Sequence, residues 1–316
     1  MANPIDLLKP ILISGPTASG KSALAMHLAE TLGGIVINAD ALQVYSAWRI
    51  LSARPSEDDE ARVPHALYGH VAPERAYSVG DWLKDVALYL SAPKRPIIVG
   101  GTGLYFAALT EGLAVIPPIP DGVRDEGNRL REVGGNGLLE ALAERDPEIV
   151  AAIDTKNPAR VQRAWEVIEA TGESLLTWQS RTGPPLVSLG ETVAFRLDAD
   201  RDWLANRIAT RFATMLEDGA EAEVAAWEAA GYDSALPAAK ALGRQEIAAY
   251  LAGNITRDDA VAQAAQATRR YAKRQRTWAR ARMGEWNALT VGPGTTKASL
   301  NDAALTILAQ DQSHSL

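Results

Sequence analysis

Three short runs in the first hundred residues are apolar from end to end: PILISG (10–15), GIVINAD (34–40) and RPIIVGG (95–101). Each leads into helix-compatible sequence. Apolar runs without polar alternation are the mark of parallel strands covered on both faces, so the pattern predicts a doubly wound α/β core. Three prolines in VIPPIPDG (115–122) break it, and from there to RTGPPLVS (181–188) only helical periodicity appears, as in GLLEALAERDPEIVAAI and PARVQRAWEVIEATG. TVAFRLDAD (192–200) reads as a strand returning to the core. Long helical stretches follow, with a last strand at WNALTVG. The expected organisation is a first core segment (1–116), an inserted all-helical domain (117–188), a second core segment with a helical C-terminal region (189–310), and a disordered tail (311–316).

Composition narrows the chemistry. No apolar run approaches the roughly 20 residues of a membrane span, and the N-terminus lacks a basic start followed by an apolar stretch, so a cytoplasmic protein with no membrane partner is expected. The 316 residues include no cysteine and four scattered histidines, His27, His65, His70 and His314. Thiolate and histidine-rich metal sites are thereby excluded, and catalysis falls to carboxylates, hydroxyls, cations and a bound metal. The net charge of −7 hides a polarity: residues 269–282 hold seven basic side chains and no acidic one, against 25 basic and 39 acidic elsewhere.

The first strand runs into Gly15-Pro16-Thr17-Ala18-Ser19-Gly20-Lys21-Ser22, a match to G-x-x-x-x-G-K-[ST] between an apolar strand and a helix. That context predicts a phosphate-binding P-loop in which backbone amides and the helix N-terminus receive the anion, Lys21 reaches its end and Ser22 ligands Mg²⁺. The motif alone suggests nucleotide binding, ATP above all, but a phosphoryl-transferring enzyme usually has a second strand ending in a metal-holding Asp. Here the later strand ends in VGGTG. Asp40, after the second strand, is the one candidate; placed beside the P-loop in sheet order, it suits a metal ligand, a general base, or the cap of a helix over ALQVYSAW. Gln43 suits bracing that cap or pairing with an adenine edge.

Taken in order, GPTASGKS, NADALQVY, ARPS, AYSVGDW, VGGTGLYFAALTEGL, NPARVQRAWEV, RIATRFATMLEDGAEAEV and TRRYAKRQRTWAR resemble the bacterial tRNA dimethylallyltransferases, also called tRNA isopentenyltransferases, over about residues 11 to 282. The resemblance implies transfer of a dimethylallyl group from dimethylallyl diphosphate to N6 of the adenosine 3′ of the anticodon, with Mg²⁺ as cofactor. It also implies that the inserted domain grips the tRNA anticodon stem-loop. Gly15, Thr17, Ala18, Ser19, Gly20, Lys21 and Ser22 would hold the diphosphate, assisted by Arg211, with Asp40 as general base. Asp40, Ala41, Leu42, Gln43, Thr102, Arg124, Ala159, Arg160, Val161, Gln162, Arg163 and Arg244 fall where the family touches tRNA. A monomer is expected. Three places differ from the usual pattern: Ala41 replaces a Ser, Ser52 and Arg54 replace a Thr and a Lys, and Arg244 replaces an aromatic residue.

On the basic helix, Arg269, Lys273, Arg276 and Arg280 share one stripe, suited to RNA phosphates, with Arg276 and Arg280 as tRNA contacts. Tyr271 and Trp278, with Gln275 between them, share another that is expected to pack on the core. Two rival readings cover part of the pattern. A P-loop kinase of a small metabolite explains the loop but not the basic helix; a non-catalytic RNA-binding protein explains the helix but leaves Asp40, Lys21 and Ser22 unused.

Overall fold

The computed structural model describes residues 9–133 and 135–314. The chain forms two compact units, one of Met1–Thr110 with Leu186–Leu316 and one of Glu111–Pro185. Among the described residues no helix is long and apolar enough to cross a membrane.

In the larger unit, β1 (Ile11–Ser14) leads through the glycine-rich loop into α1 (Lys21–Leu32), and β2 (Ile35–Asn38) follows. After a long irregular stretch come α2 (Glu57–Arg62), β3 (His65–Ala66), α3 (Val79–Leu90), β4 (Pro96–Gly100) and α4 (Gly103–Glu111). The smaller unit holds α5 (Asp121–Glu132), α6 (Gly137–Arg145), α7 (Pro147–Ala152), α8 (Pro158–Thr171) and α9 (Leu175–Ser180) around Leu142, Ile149, Ala164 and Trp165. It begins at the end of α4 and not at the prolines, because Gly112, at φ +93°, ends the helix, and a Cβ there would overlap the Gly183 carbonyl. The chain therefore enters and leaves this unit at one place. The larger unit resumes with β5 (Val193–Ala199), α10 (Arg201–Glu217), α11 (Ala220–Ala230), α12 (Arg244–Leu251), the long α13 (Arg257–Arg282), β6 (Asn287–Val291) and α14 (Lys297–His314).

All six strands pair in parallel in the order β3-β2-β4-β1-β5-β6. This is the doubly wound parallel sheet expected, and Ile11, Ile13, Ile97, Val99 and Phe195 are fully or nearly fully buried in it. One expectation fails: β2 does not neighbour β1, since β4 lies between them. Asp40 thus approaches the glycine-rich loop across the end of β4.

Two further expectations are corrected. No helix forms over ALQVYSAW; residues 41 to 53 run as turns. Asn38 Oδ1 accepts from Asp40 N at 2.8 Å and Asp40 Oδ1 from Leu42 N at 3.0 Å, bonds that fix the first turn and leave the rest of the segment to partners outside it. The Glu223 carboxylate then accepts from Arg49, Ile50 and Leu51 N–H at 2.8–2.9 Å. At the other end of the chain, α14 continues to His314, through most of the tail expected to be disordered. Residues 315 and 316 lie outside the described residues.

Candidate active site

The loop after β1 adopts two left-handed residues, Ala18 at φ 64° and Gly20 at φ 97°. Gly20 precedes α1 with no side chain capping the helix and no acidic residue in its first turn, so its leading amides are left for an external acceptor. The Ser19 hydroxyl is buried there with no hydrogen-bond partner among the described residues. Left-handed backbone at a non-glycine residue is costly and collects at functional sites.

The glycines ending β4 have a packing cause. A Cβ on Gly100 would overlap the backbone of Ala39, and one on Gly101 would overlap the Gln275 amide. Their absence lets the ends of β1, β2 and β4 converge: Gly15 N–H donates to Gly100 O at 3.4 Å, Thr102 N–H to Ala39 O at 3.2 Å, and Ala41 N–H to Thr102 Oγ1 at 2.9 Å. Asn38 Nδ2 holds Leu67 O and Asp40 O, and Trp82 Nε1 donates to Asn38 O at 2.7 Å. Asp40 is thereby fixed over the glycine pair that ends β4.

From α13, Gln275 joins these pieces. Its Oε1 accepts from Thr17 N–H at 2.9 Å and its Nε2 donates to Gly101 O at 3.0 Å. Thr17 therefore has no free amide for phosphate; its side chain lines the cavity with Asp40 instead. Tyr271, expected on the core-packing stripe, also faces that cavity, and its hydroxyl interacts with Thr102 and Gln275. Trp278 does pack as expected, against Gly103.

Two cavities meet at this point. The first, about 510 Å³, is lined by Gly20, Lys21 and Ser22 after β1, by His65 and Tyr68 of β3 and the turn that follows it, which β2 and β4 separate from β1, and by Arg54, Arg207 and Arg211. The second, about 60 Å³, contains Asp40, Leu42, Thr17, Thr268 and Tyr271. Ala18, Ala53 and Arg211 line both, and Ala53 is another of the left-handed non-glycine residues. Desolvation pushes the Lys21 amine down to about 8; Asp40 opposes that shift and Arg211 adds to it. Arg211 is itself held below its ordinary value by burial and by Arg207, with Asp40 opposing. Among the described residues no group of three or more His, Asp or Glu could cage a metal. Ser22 is exposed on the cavity at the first turn of α1, and a hydroxyl completed by phosphate oxygens and water is a donor set that fits Mg²⁺.

Not every expected residue reaches this centre. Both donors of the Gln43 amide are taken by Ser52 O and Ala53 O, at 2.9 and 2.8 Å, so it shapes the shared wall. Arg244 is buried; Nε donates to Ala239 O and Nη1 pairs with Glu228 at 2.7 Å, which makes it a structural residue and corrects its expected place at an RNA surface. Arg280 pairs with Asp198 at 3.3 Å, and Arg276 has a buried Nε without a partner. Within the helical unit Arg124, Ala159, Arg160 and Arg163 are exposed. Val161 is buried in that unit's core, and the buried Gln162 bonds Asn128 and Glu166. Sequence reasoning missed Arg207, whose Nε donates to Ala18 O at 2.9 Å while its guanidinium lies over Trp203. Its spacing of one helical turn from Arg211 was the available signal.

The chain matches the family model described as "IPP transferase" over residues 43–282 and that described as "Isopentenyl transferase" over residues 9–64. It is 56% identical to a tRNA dimethylallyltransferase of Cereibacter sphaeroides over 89% of this chain and 88% of that one. The match to the enzyme of the same name from Dinoroseobacter shibae is 55%, over 90% and 95%. Among solved structures, a full-length tRNA isopentenylpyrophosphate transferase of Bacillus halodurans aligns with TM-score 0.69 at 29% identity, covering 98% of each chain. A eukaryotic dimethylallyltransferase acting on tRNA shares the fold, with TM-score 0.81 at 22% identity, over 96% of this chain and 79% of its own.

Proposed function

Because this chain belongs to the IPP transferase family, together with the tRNA dimethylallyltransferases it matches, it is a prenyl-transferring enzyme of tRNA modification, and we propose how its residues divide the reaction. The donor is dimethylallyl diphosphate, with its phosphates on the glycine-rich loop in the first cavity. The acceptor is N6 of the adenosine 3′ of the anticodon, entering the second cavity by its amino edge. The observation that carries this reading is the pair of cavities sharing Ala18, Ala53 and Arg211, with the cations on one side and Asp40 on the other.

An adenine amine is a weak nucleophile because its lone pair is delocalised into the ring. The reaction therefore rests on the leaving group and on proton removal. As the allylic carbon–oxygen bond breaks, charge grows on the diphosphate. The first amides of α1, Lys21, Arg207 and Arg211 are already in place to receive it, and loss of one such contact costs about 10²- to 10³-fold in rate. As the carbon–N6 bond forms, the amine becomes acidic and its proton passes to the Asp40 carboxylate. Mg²⁺, when bound, neutralises further phosphate charge; Ser22 is the residue that would hold it. The base must leave its stack to reach Asp40, which favours a loop nucleotide over one in a duplex. The exposed Arg124, Arg160 and Arg163 and the basic face of α13 serve the anticodon stem-loop.

The test supplies unmodified tRNA and Mg²⁺ with labelled dimethylallyl diphosphate or labelled ATP. Label reaching tRNA only from the former supports the reading; ATP turnover without prenyl transfer overturns it.

A further inference from the structure

The first cavity has a wall opposite the phosphate loop that the reaction as derived leaves unused. β3 ends at the carboxyl edge of the sheet, where ligands of open α/β sheets gather. The residue after it, Leu67, is left-handed at φ 62°. Its carbonyl is held by Asn38 Nδ2 at 3.0 Å, and this turn delivers Tyr68 to the cavity that contains Lys21 and Ser22. The half-buried ring packs against the core and meets His65 edge-on, with centroids 5.6 Å apart.

Several polar groups of this wall are held within the protein, although Arg54 Nε is buried with no hydrogen-bond partner among the described residues. Gln43 holds Ser52 O and Ala53 O, Arg54 Nη1 donates to Tyr45 O, and Asp59 closes the N-terminus of α2 with Ser56. Among the described residues none hydrogen-bonds the Tyr68 hydroxyl. Burial, together with the fields of Asp40 and Glu60, raises its pKa far above the ordinary phenol value. It remains a proton donor throughout the working range, and the cavity it lines carries four cations, Lys21, Arg54, Arg207 and Arg211, against one carboxylate, Asp59. The ligand that complements this combination is an anion with oxygens to spare.

Resting on the reading above that the first cavity takes the prenyl donor, we infer that the Tyr68 hydroxyl is a further substrate-binding group, donating a hydrogen bond to the diphosphate from the side opposite the loop. The side chain acts with Lys21 as the second jaw of a clamp. Because it donates to the group on which charge grows, its loss weakens diphosphate binding and slows bond cleavage as well.

The test compares wild type, Tyr68→Phe and Lys21→Ala by titration calorimetry with inorganic diphosphate and Mg²⁺, alongside thermal unfolding and tRNA binding. Phenylalanine keeps the ring's packing and removes only the hydroxyl. A hydrogen bond to a charged ligand predicts about tenfold weaker diphosphate binding for Tyr68→Phe, and a fall of at least about tenfold in kcat/KM for dimethylallyl diphosphate, with unfolding temperature and tRNA affinity unchanged. If Lys21→Ala weakens diphosphate binding and Tyr68→Phe stays within twofold of wild type, the clamp is refuted and the phosphate loop stands. If Lys21→Ala has no effect either, the reading of the cavity itself has failed. A loss of diphosphate affinity accompanied by a lower unfolding temperature and weaker tRNA binding assigns the hydroxyl to packing and also overturns the inference.

Discussion

Replacing Gln275 by alanine removes a side chain that bonds both the phosphate loop and the end of β4. Two hydrogen bonds disappear with it, from Thr17 N–H to Oε1 at 2.9 Å and from Nε2 to Gly101 O at 3.0 Å. Each such bond contributes about 1 kcal/mol net. Water can enter the part-buried site and re-satisfy some of the freed groups, so the total is roughly 1–2 kcal/mol. If this energy holds the loop ready for the departing diphosphate, its loss lowers kcat/KM by roughly 5- to 30-fold, at about 1.36 kcal/mol per factor of ten. Gln275→Glu separates positioning from mere occupancy. It keeps an acceptor for Thr17 but sets an oxygen against Gly101 O, so its effect equals or exceeds that of alanine. Steady-state prenyl transfer to tRNA, read beside urea unfolding, measures both quantities. An alanine variant with kcat/KM within threefold of wild type would refute the idea that Gln275 organises the site.

Gly100→Ala forces a Cβ into the Ala39 backbone and destabilises by about 2–4 kcal/mol, read as a lower urea midpoint. Lys21 titrates near 8 in the folded chain against an ordinary 10.5, so between those values the unfolded chain binds more protons; stability rises with pH across that window. Over the same range diphosphate affinity falls as the amine loses its charge, and Lys21→Arg, which stays protonated, removes that part of the decline in a calorimetric pH series. Arg244→Met lowers the unfolding midpoint because it strips the partner from Glu228 and the bond from Ala239 O, while tRNA affinity stays within about twofold in filter binding; a large loss of affinity would return Arg244 to the RNA surface.

The β1–loop–α1 unit was legible because an apolar run, a glycine-rich loop and a helix are each local. Strand order was not. Nothing in GIVINAD says that β4 intervenes between it and β1, and only the glycines of VGGTG carry a trace of it, since they are small where the Ala39 backbone and Gln275 press in. The turns after Asp40 defeated a periodicity reading because their geometry is held from a distance, by Glu223 on α11. Distance also explains Tyr271 and Arg244: the helical wheel groups residues by face but does not say that one face of α13 looks into a cavity, or that Glu228 waits for a guanidinium. Lys21 and Asp40 were identified from the loop motif and the end of the second strand, and Arg211 through the resemblance; their meeting around two joined cavities needed the tertiary structure.

At the centre of the proposed chemistry, Asp40 takes the proton from the adenine amine while the loop holds the diphosphate. Single-turnover transfer by Asp40→Asn, with tRNA and dimethylallyl diphosphate both saturating, tests this most directly. The expected rate is at least about 10²-fold below wild type, with tRNA and diphosphate affinities preserved. A variant that transfers at near wild-type rate would contradict that role and reduce Asp40 to the residue that holds Leu42 N–H in its turn.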